Sequence, residues 1–223
     1  MDHFDYSEVK QLFAKYREKF SPFFSPIEKD LAAEMGNKLG DVAQVSREIV
    51  DLVANLYAIQ NPSPVPGGDG YDTVNIGGFS LKLKRADPNV PIGLGNATKA
   101  YARGGEAREL YNPDVRDMEG KLERETFSFY QIAHRITHIT ETLPSLKSFT
   151  CPAIRIVRNH LIEHPEGKSS GVTRDTFSYS KNEGPCVKGL RVGEQAQHRD
   201  EGFKKNSDRF IANLTTTLQQ ALN

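Results

Sequence analysis

Residues 41–60 read DVAQVSREIVDLVANLYAIQ. Val42, Val45, Ile49, Leu52, Leu56 and Ile59 recur at alternating steps of three and four, so they line one side of an α-helix with the seam spacing of bundled helices. Asn61-Pro62 stops this helix, because proline lacks an amide donor and disfavours helical geometry in the residue before it. A seam this regular has to be covered by other helices. The chain is therefore expected to fold as a mainly α protein, an antiparallel helical bundle with one or two small inserted β-hairpins.

On the N-terminal side, Tyr6, Val9, Leu12, Phe13, Tyr16 and Phe20 form one amphipathic stripe, which Ser21-Pro22 breaks. Ser25-Pro26-Ile27-Glu28 restarts the helix as a capping box with proline at the first position. Gly36 and Gly40 are expected to end that short helix, leaving Asp41 to cap the next. Residues 61–100 form a Gly/Pro-rich insertion. Within it Val74 and Ile76, then Gly77-Gly78, then Phe79, Leu81 and Leu83 spell a hairpin around a two-glycine turn.

On the C-terminal side a long helix runs from about Pro113 to Glu141 and ends before Pro144, and a shorter one runs between Pro152 and Pro165. A second hairpin is expected within 172–192, around Lys181-Asn182-Glu183-Gly184, and it could pair with the first. Phe203, Phe210, Ile211, Leu214, Leu218 and Leu222 mark a last helix within 200–222. The whole of 1–223 is expected to be a single domain, since a chain this long can bury roughly 70% of its unfolded surface.

Charge narrows the function classes. The chain carries 29 Lys+Arg against 29 Asp+Glu, which excludes affinity for polyanions built on a generally basic surface. The balance hides an asymmetry: from Cys151 onward there are 11 Lys+Arg and 8 Asp+Glu, so this part is mildly positive and the rest equally negative. No stretch approaches the length of apolar sequence that a membrane span needs, and the N-terminus lacks the layout of a secretory signal, so a cytoplasmic protein without membrane association is expected. Two cysteines, Cys151 and Cys186, make no disulfide framework and are expected as reduced thiols.

The histidines are the candidates for chemistry. His134 with His138, and His160 with His164, are helix-spaced pairs that could hold a divalent metal, with Glu141 or Glu163 joining. The segment Arg158-Asn159-His160-Leu161-Ile162-Glu163-His164 offers a second chemistry, which needs no cofactor. A guanidinium neutralises a phosphate, an amide orients a neighbour, and imidazole moves a proton near neutral pH. Together they suffice to cleave RNA by attack of the 2′-hydroxyl on the adjacent phosphorus. Arg158 and His164 would stand about 120° apart on an unbroken helix, so Pro165, which pushes His164 out of helical geometry, bears on whether they meet. Arg155, Lys168, Arg174 and Lys188 could lie along a phosphate backbone, and Phe177 and Tyr179 could stack on bases.

At Arg158-Asn159 and His164 the chain resembles the HEPN domains (higher eukaryotes and prokaryotes nucleotide-binding), whose motif is an arginine, a polar residue next, and a histidine a few positions on, near the end of the last core helix of a bundle. The resemblance spans about Asp41 to Pro165. It implies a metal-independent endoribonuclease of a toxin–antitoxin or defence system, acting as a homodimer on RNA, with an antitoxin or other protein partner. By this resemblance Arg158 binds and stabilises the scissile phosphate, Asn159 helps position it, and His164 is the general base or acid, with His160 and Glu163 second in rank. Two alternatives stand beside it: a non-catalytic HEPN-like dimerisation or binding module, and a metal-binding helical bundle using His134, His138, His160 and His164. The 61–100 insertion and the trailing hairpin depart from a minimal HEPN bundle.

Overall fold

A computed structural model describes residues 2–60, 71–76, 79–85, 97–102, 107–109, 113–162, 177–187, 191–192, 196–197 and 202–223. Five helices carry the fold: α1 (Ser7–Phe20), α2 (Pro26–Gln60), α3 (Pro113–Thr142), α4 (Pro152–Ile162) and α5 (Phe203–Leu222). The protein is mainly α, with small β elements between the helices. Among the described residues no helix is long and apolar enough to cross a membrane. The chain expected as one domain divides into two compact units, residues 1–50 with 123–223, and residues 51–122.

The first unit holds most of the helical core. Val9, Phe13 and Tyr16 of α1 are buried, as the stripe requires, and Ser21–Phe23 forms a short 3-10 turn where Pro22 interrupts the helix. The capping box forms at the start of α2: the Ser25 amide donates to Glu28 Oε2 at 2.7 Å, and the Glu28 amide donates to Ser25 Oγ at 3.3 Å. These bonds, the amide bond first, hold the Glu28 carboxyl below its ordinary range.

Gly36 and Gly40 do not end a helix. Both lie inside a continuous α2, because Ala32, Met35, Leu39, Val42, Ala43, Ser46, Ile49 and Val50 form one buried stripe that runs past them. Two internal glycines cost about 1 kcal/mol each relative to alanine, while burying each large aliphatic side chain contributes about 1.5–3 kcal/mol. Burial wins. Gly36 also sits where α1 approaches α2, since a Cβ there would lie 3.6 Å from Arg17 Nη1 and 3.8 Å from Phe13 Cε1.

Helix directions are mixed rather than uniformly antiparallel. α2 runs antiparallel to α1, with Tyr6 bonded to Ser46 at one end of the pair and Tyr16 near Phe24 at the other. α5 runs alongside α1 in the same direction: Phe4, just before α1, meets Phe203 edge-on at 5.4 Å, and Lys19 at the end of α1 donates to the Leu222 carbonyl at 2.7 Å. The later part of α3 follows α1 as well, because Phe129 packs on the same Phe203 at 4.8 Å and the Tyr16 hydroxyl donates to the Pro144 carbonyl at 2.6 Å. The later part of α3 and α5 therefore point the same way.

Polar groups also lie in this core. The Tyr6 hydroxyl lies 3.3 Å from Ser46 Oγ, which donates to the Val42 carbonyl, and Asn206 Nδ2 donates to the Tyr130 hydroxyl at 2.8 Å. Burial is the main cause pushing the Tyr6 hydroxyl pKa well up, so this hydroxyl stays protonated and able to donate. Nearer the surface, Arg135 of α3 forks onto Glu34 of α2, with Nε and Nη2 each 2.7 Å from a carboxylate oxygen.

The strands extend the hairpin expectation and correct part of it. β1 (Tyr71–Ile76) pairs antiparallel with β2 (Phe79–Arg85) in the register Ile76↔Phe79, as the first hairpin requires, while Gly77-Gly78 lie outside the described residues. β3 (Ala97–Ala102) and β4 (Ala107–Glu109) add to β2 to give a four-stranded antiparallel sheet in the order β1-β2-β3-β4. Among the described residues the second hairpin, β5 (Phe177–Ser180) with β6 (Gly184–Val187), forms a two-stranded sheet of its own. An isolated hairpin is marginal in water, and here the first hairpin gains its extra strand from the segment just after it. The second is tied to α5 instead, where the Lys204 amide donates to the Glu183 carbonyl at 3.0 Å. β7 (Arg191–Val192) and β8 (Ala196–Gln197) form a further small pair. Gly202, the residue before α5, has φ 91°, and a Cβ there would come within 3.3 Å of the Glu183 carbonyl oxygen, so glycine is required.

Two predictions follow from this packing. Gly40 has nothing within 4 Å of a built Cβ, so Gly40→Ala should stabilise the protein by about 0.5–1 kcal/mol in denaturant titration. The Arg135 hydrogen bond is the main cause holding the Glu34 carboxyl below its ordinary range, so its stabilisation is present above the unfolded carboxylate pKa and lost as pH falls through the lowered folded one. The pair is partly exposed, and Glu34→Gln should therefore cost only about 0.5–1 kcal/mol near neutrality, a gap that urea melts should show closing once the pH drops below the carboxylate range.

Candidate functional site

α4 is amphipathic, and its two sides divide structure from chemistry. Cys151, Ile154 and Val157 are buried. Arg155 is exposed, and Arg158 and Asn159, three and four residues on, share its side and are half-buried. The residues leading into α4 are held by α5: Phe149 meets Phe210 edge-on at 5.7 Å, and Asn213 Nδ2 donates to the Thr150 carbonyl at 2.9 Å. The base of α4 is thereby anchored, and the polar side is set by the helical repeat.

Arg158 and Asn159, adjacent in sequence, are brought into direct contact, with Arg158 Nη1 donating to Asn159 Oδ1 at 3.1 Å. The bond restrains a long side chain whose rotamer freedom would otherwise be lost on binding a phosphate. It also spends the amide oxygen on the guanidinium, leaving the Asn159 NH2 group as its donor toward an anion. Arg158 lies toward the carbonyl end of α4, where the helix dipole favours a cation.

The other residues divide plainly. His160 lies within α4, and its side chain is outside the described residues, as are Glu163, His164, Lys168, Arg174 and Lys188. Phe177 and Tyr179 are half-buried on β5. His134 and His138 are brought together on α3, with ring centres 4.6 Å apart, and Glu141 Oε2 lies 3.0 Å from His138 Nδ1. Among the described residues no group of three or more His, Cys, Asp or Glu side chains is placed to hold a metal ion. A groove of about 520 Å3 lies between the N-terminal segment and α5, lined in part by Asp2, His3, Phe4, Lys204 and Asp208, and neither Arg158 nor Asn159 lines it.

Sequence reasoning missed the polar members of the α5 stripe. Asn206, Ser207 and Thr217 are buried together with Phe203, Phe210, Leu214 and Leu218. The spacing from Phe203 to Phe210 would have pointed to 206 and 207, had apolar identity not been the criterion. No protein-family model matches the chain, and neither does any curated protein or solved structure.

Both cysteines are free thiols. Burial, opposed by the Ile154 amide and Arg209, pushes the Cys151 thiol up, so it is a packing residue and no nucleophile at neutral pH. A disulfide reagent such as Ellman's should label Cys186 readily in the native protein and reach Cys151 only on unfolding. Equal labelling rates would show that α4 is not held on the core.

Proposed function

We propose that this protein is a HEPN-like, metal-independent endoribonuclease of a toxin or defence type, built on the C-terminal turns of α4 and acting as a cytoplasmic homodimer. The observation that supports it is the Arg158–Asn159 contact, a restrained guanidinium on the polar side of a helix whose other side is anchored in the core. An arginine held in this way is preorganised to meet a phosphate, and preorganised charge is the largest contribution a cleft can make to phosphoryl chemistry.

In the reaction, a base takes the proton of a 2′-hydroxyl, the oxygen attacks the adjacent phosphorus, and the bond to the 5′-oxygen breaks as that oxygen takes up a proton. The products are a 2′,3′-cyclic phosphate and a 5′-hydroxyl. Arg158 neutralises the charge that builds on the phosphoryl oxygens, Asn159 positions the group, and His164 carries a proton as base or acid. Arg155, one turn before Asn159 on the same side, adds affinity for the backbone. A protein antitoxin that covers Arg158 would silence such an enzyme.

Purified protein incubated with mixed RNA in EDTA should release fragments ending in 2′,3′-cyclic phosphate. Arg158→Ala and His164→Ala should each slow cleavage at least about a hundredfold, with helical content unchanged by circular dichroism. Absence of fragments, or unchanged cleavage by both variants, would sink the assignment.

A further inference from the structure

We propose that His134 and His138 form a chelating site for a divalent transition-metal ion on the outer side of α3, with the Glu141 carboxylate orienting the His138 ring. The site is separate from the Arg158–Asn159 pair and does not depend on any ribonuclease activity.

Three observations carry it. The histidines stand four residues apart on a continuous helix, so their rings project one turn apart from one side. His138 is exposed, with 54% of its side chain accessible, and its Nδ1 lies 3.0 Å from Glu141 Oε2. The tautomer that donates its Nδ1 proton to Glu141 carries its lone pair on Nε2, which is the carboxylate–histidine arrangement that supports metal-bound imidazoles.

The third observation is the ring spacing, which is short enough for both rings to share one ion. With metal–nitrogen bonds of about 2.0–2.1 Å, each ring centre stands about 3.2 Å from the ion. Two imidazoles at a right angle then have centres about 4.5 Å apart, and two at the tetrahedral angle about 5.2 Å. The observed separation is 4.6 Å. The spacing therefore falls within the range set by the two geometries, so both rings can reach one divalent transition-metal ion. The rings lie at 83° to one another, and rotation about the soft χ2 torsions is the adjustment that aims both nitrogens at one point. Among the described residues no group of three ligands is assembled, so the remaining positions fall to water or to a donor from outside. Glu141 supports His138 and is not itself a ligand.

A chelate across one turn exists only while α3 is helical, so the ion binds the native state and stabilises it. The test uses the full, tag-free chain stripped with EDTA, freed of chelator, and titrated calorimetrically with Ni2+ and separately with Zn2+. Wild type should bind each ion in a single saturable event, and Ni2+ should raise its thermal midpoint. His134→Ala and His138→Ala should each weaken Ni2+ binding at least tenfold, and Glu141→Gln by up to about tenfold. The double variant His134→Ala/His138→Ala should lose the thermal shift while keeping its metal-free midpoint. No saturable Ni2+ binding by wild type overturns the proposal. So does an unchanged isotherm in the double variant, which would assign the ion to His3, His160, His164 or His198.

Discussion

The structure of the first unit depends on covering one stripe. From Ala32 to Val50 the buried side of α2 runs unbroken past two glycines, and an apolar surface of that length is stable only with helices laid along it. α1 covers it closely because Gly36 carries no side chain where Phe13 and Arg17 come near. The glycines that would weaken an isolated helix are tolerated because packing supplies more than propensity withholds. Once α1 lies antiparallel on α2, the aromatic residues at its two ends set where α3 and α5 go, through Phe203 at one end and Tyr16 at the other.

Polar bonds then select one arrangement from those that burial alone would allow. Burying Tyr6, Ser46, Tyr130 and Asn206 would cost free energy unless their hydrogen-bonding groups met partners. Each of the two bonds joins residues distant in sequence, Tyr6 to Ser46 and Asn206 to Tyr130. A slip of one helix along another by a turn would leave these groups unsatisfied, so they fix register where apolar contacts would tolerate sliding. Lys19 acts at the surface in the same sense, supplying donors to the last carbonyls of α5.

The functional residues lie on elements that this core makes rigid. α4 is short, and eleven residues make a marginal helix in water. It persists because Cys151, Ile154 and Val157 are buried and because Phe149 and Thr150 are tied to α5. Arg158 and Asn159 inherit that support, which is why a guanidinium on the polar side can be held by its neighbour. α3 does the same for His134 and His138, since Phe129, Ala133, Ile136 and Ile139 fasten its other side to the core.

Much of this was legible from residue order alone. The α1 stripe, the Ser25–Glu28 cap, the stop at Gln60, the pairing of β1 with β2 and the hairpin around 181–184 all rest on interactions among residues close in sequence, and short-range chemistry specifies them. The adjacency of Arg158 to Asn159 and the helical spacing of His134, His138 and Glu141 were readable for the same reason. Tertiary structure alone decided the rest: that α2 continues through Gly36 and Gly40, that α5 runs parallel to α1, and that Asn206 and Ser207 belong inside. Each of these outcomes depends on surface buried between segments far apart in the chain, and no local preference carries that free energy.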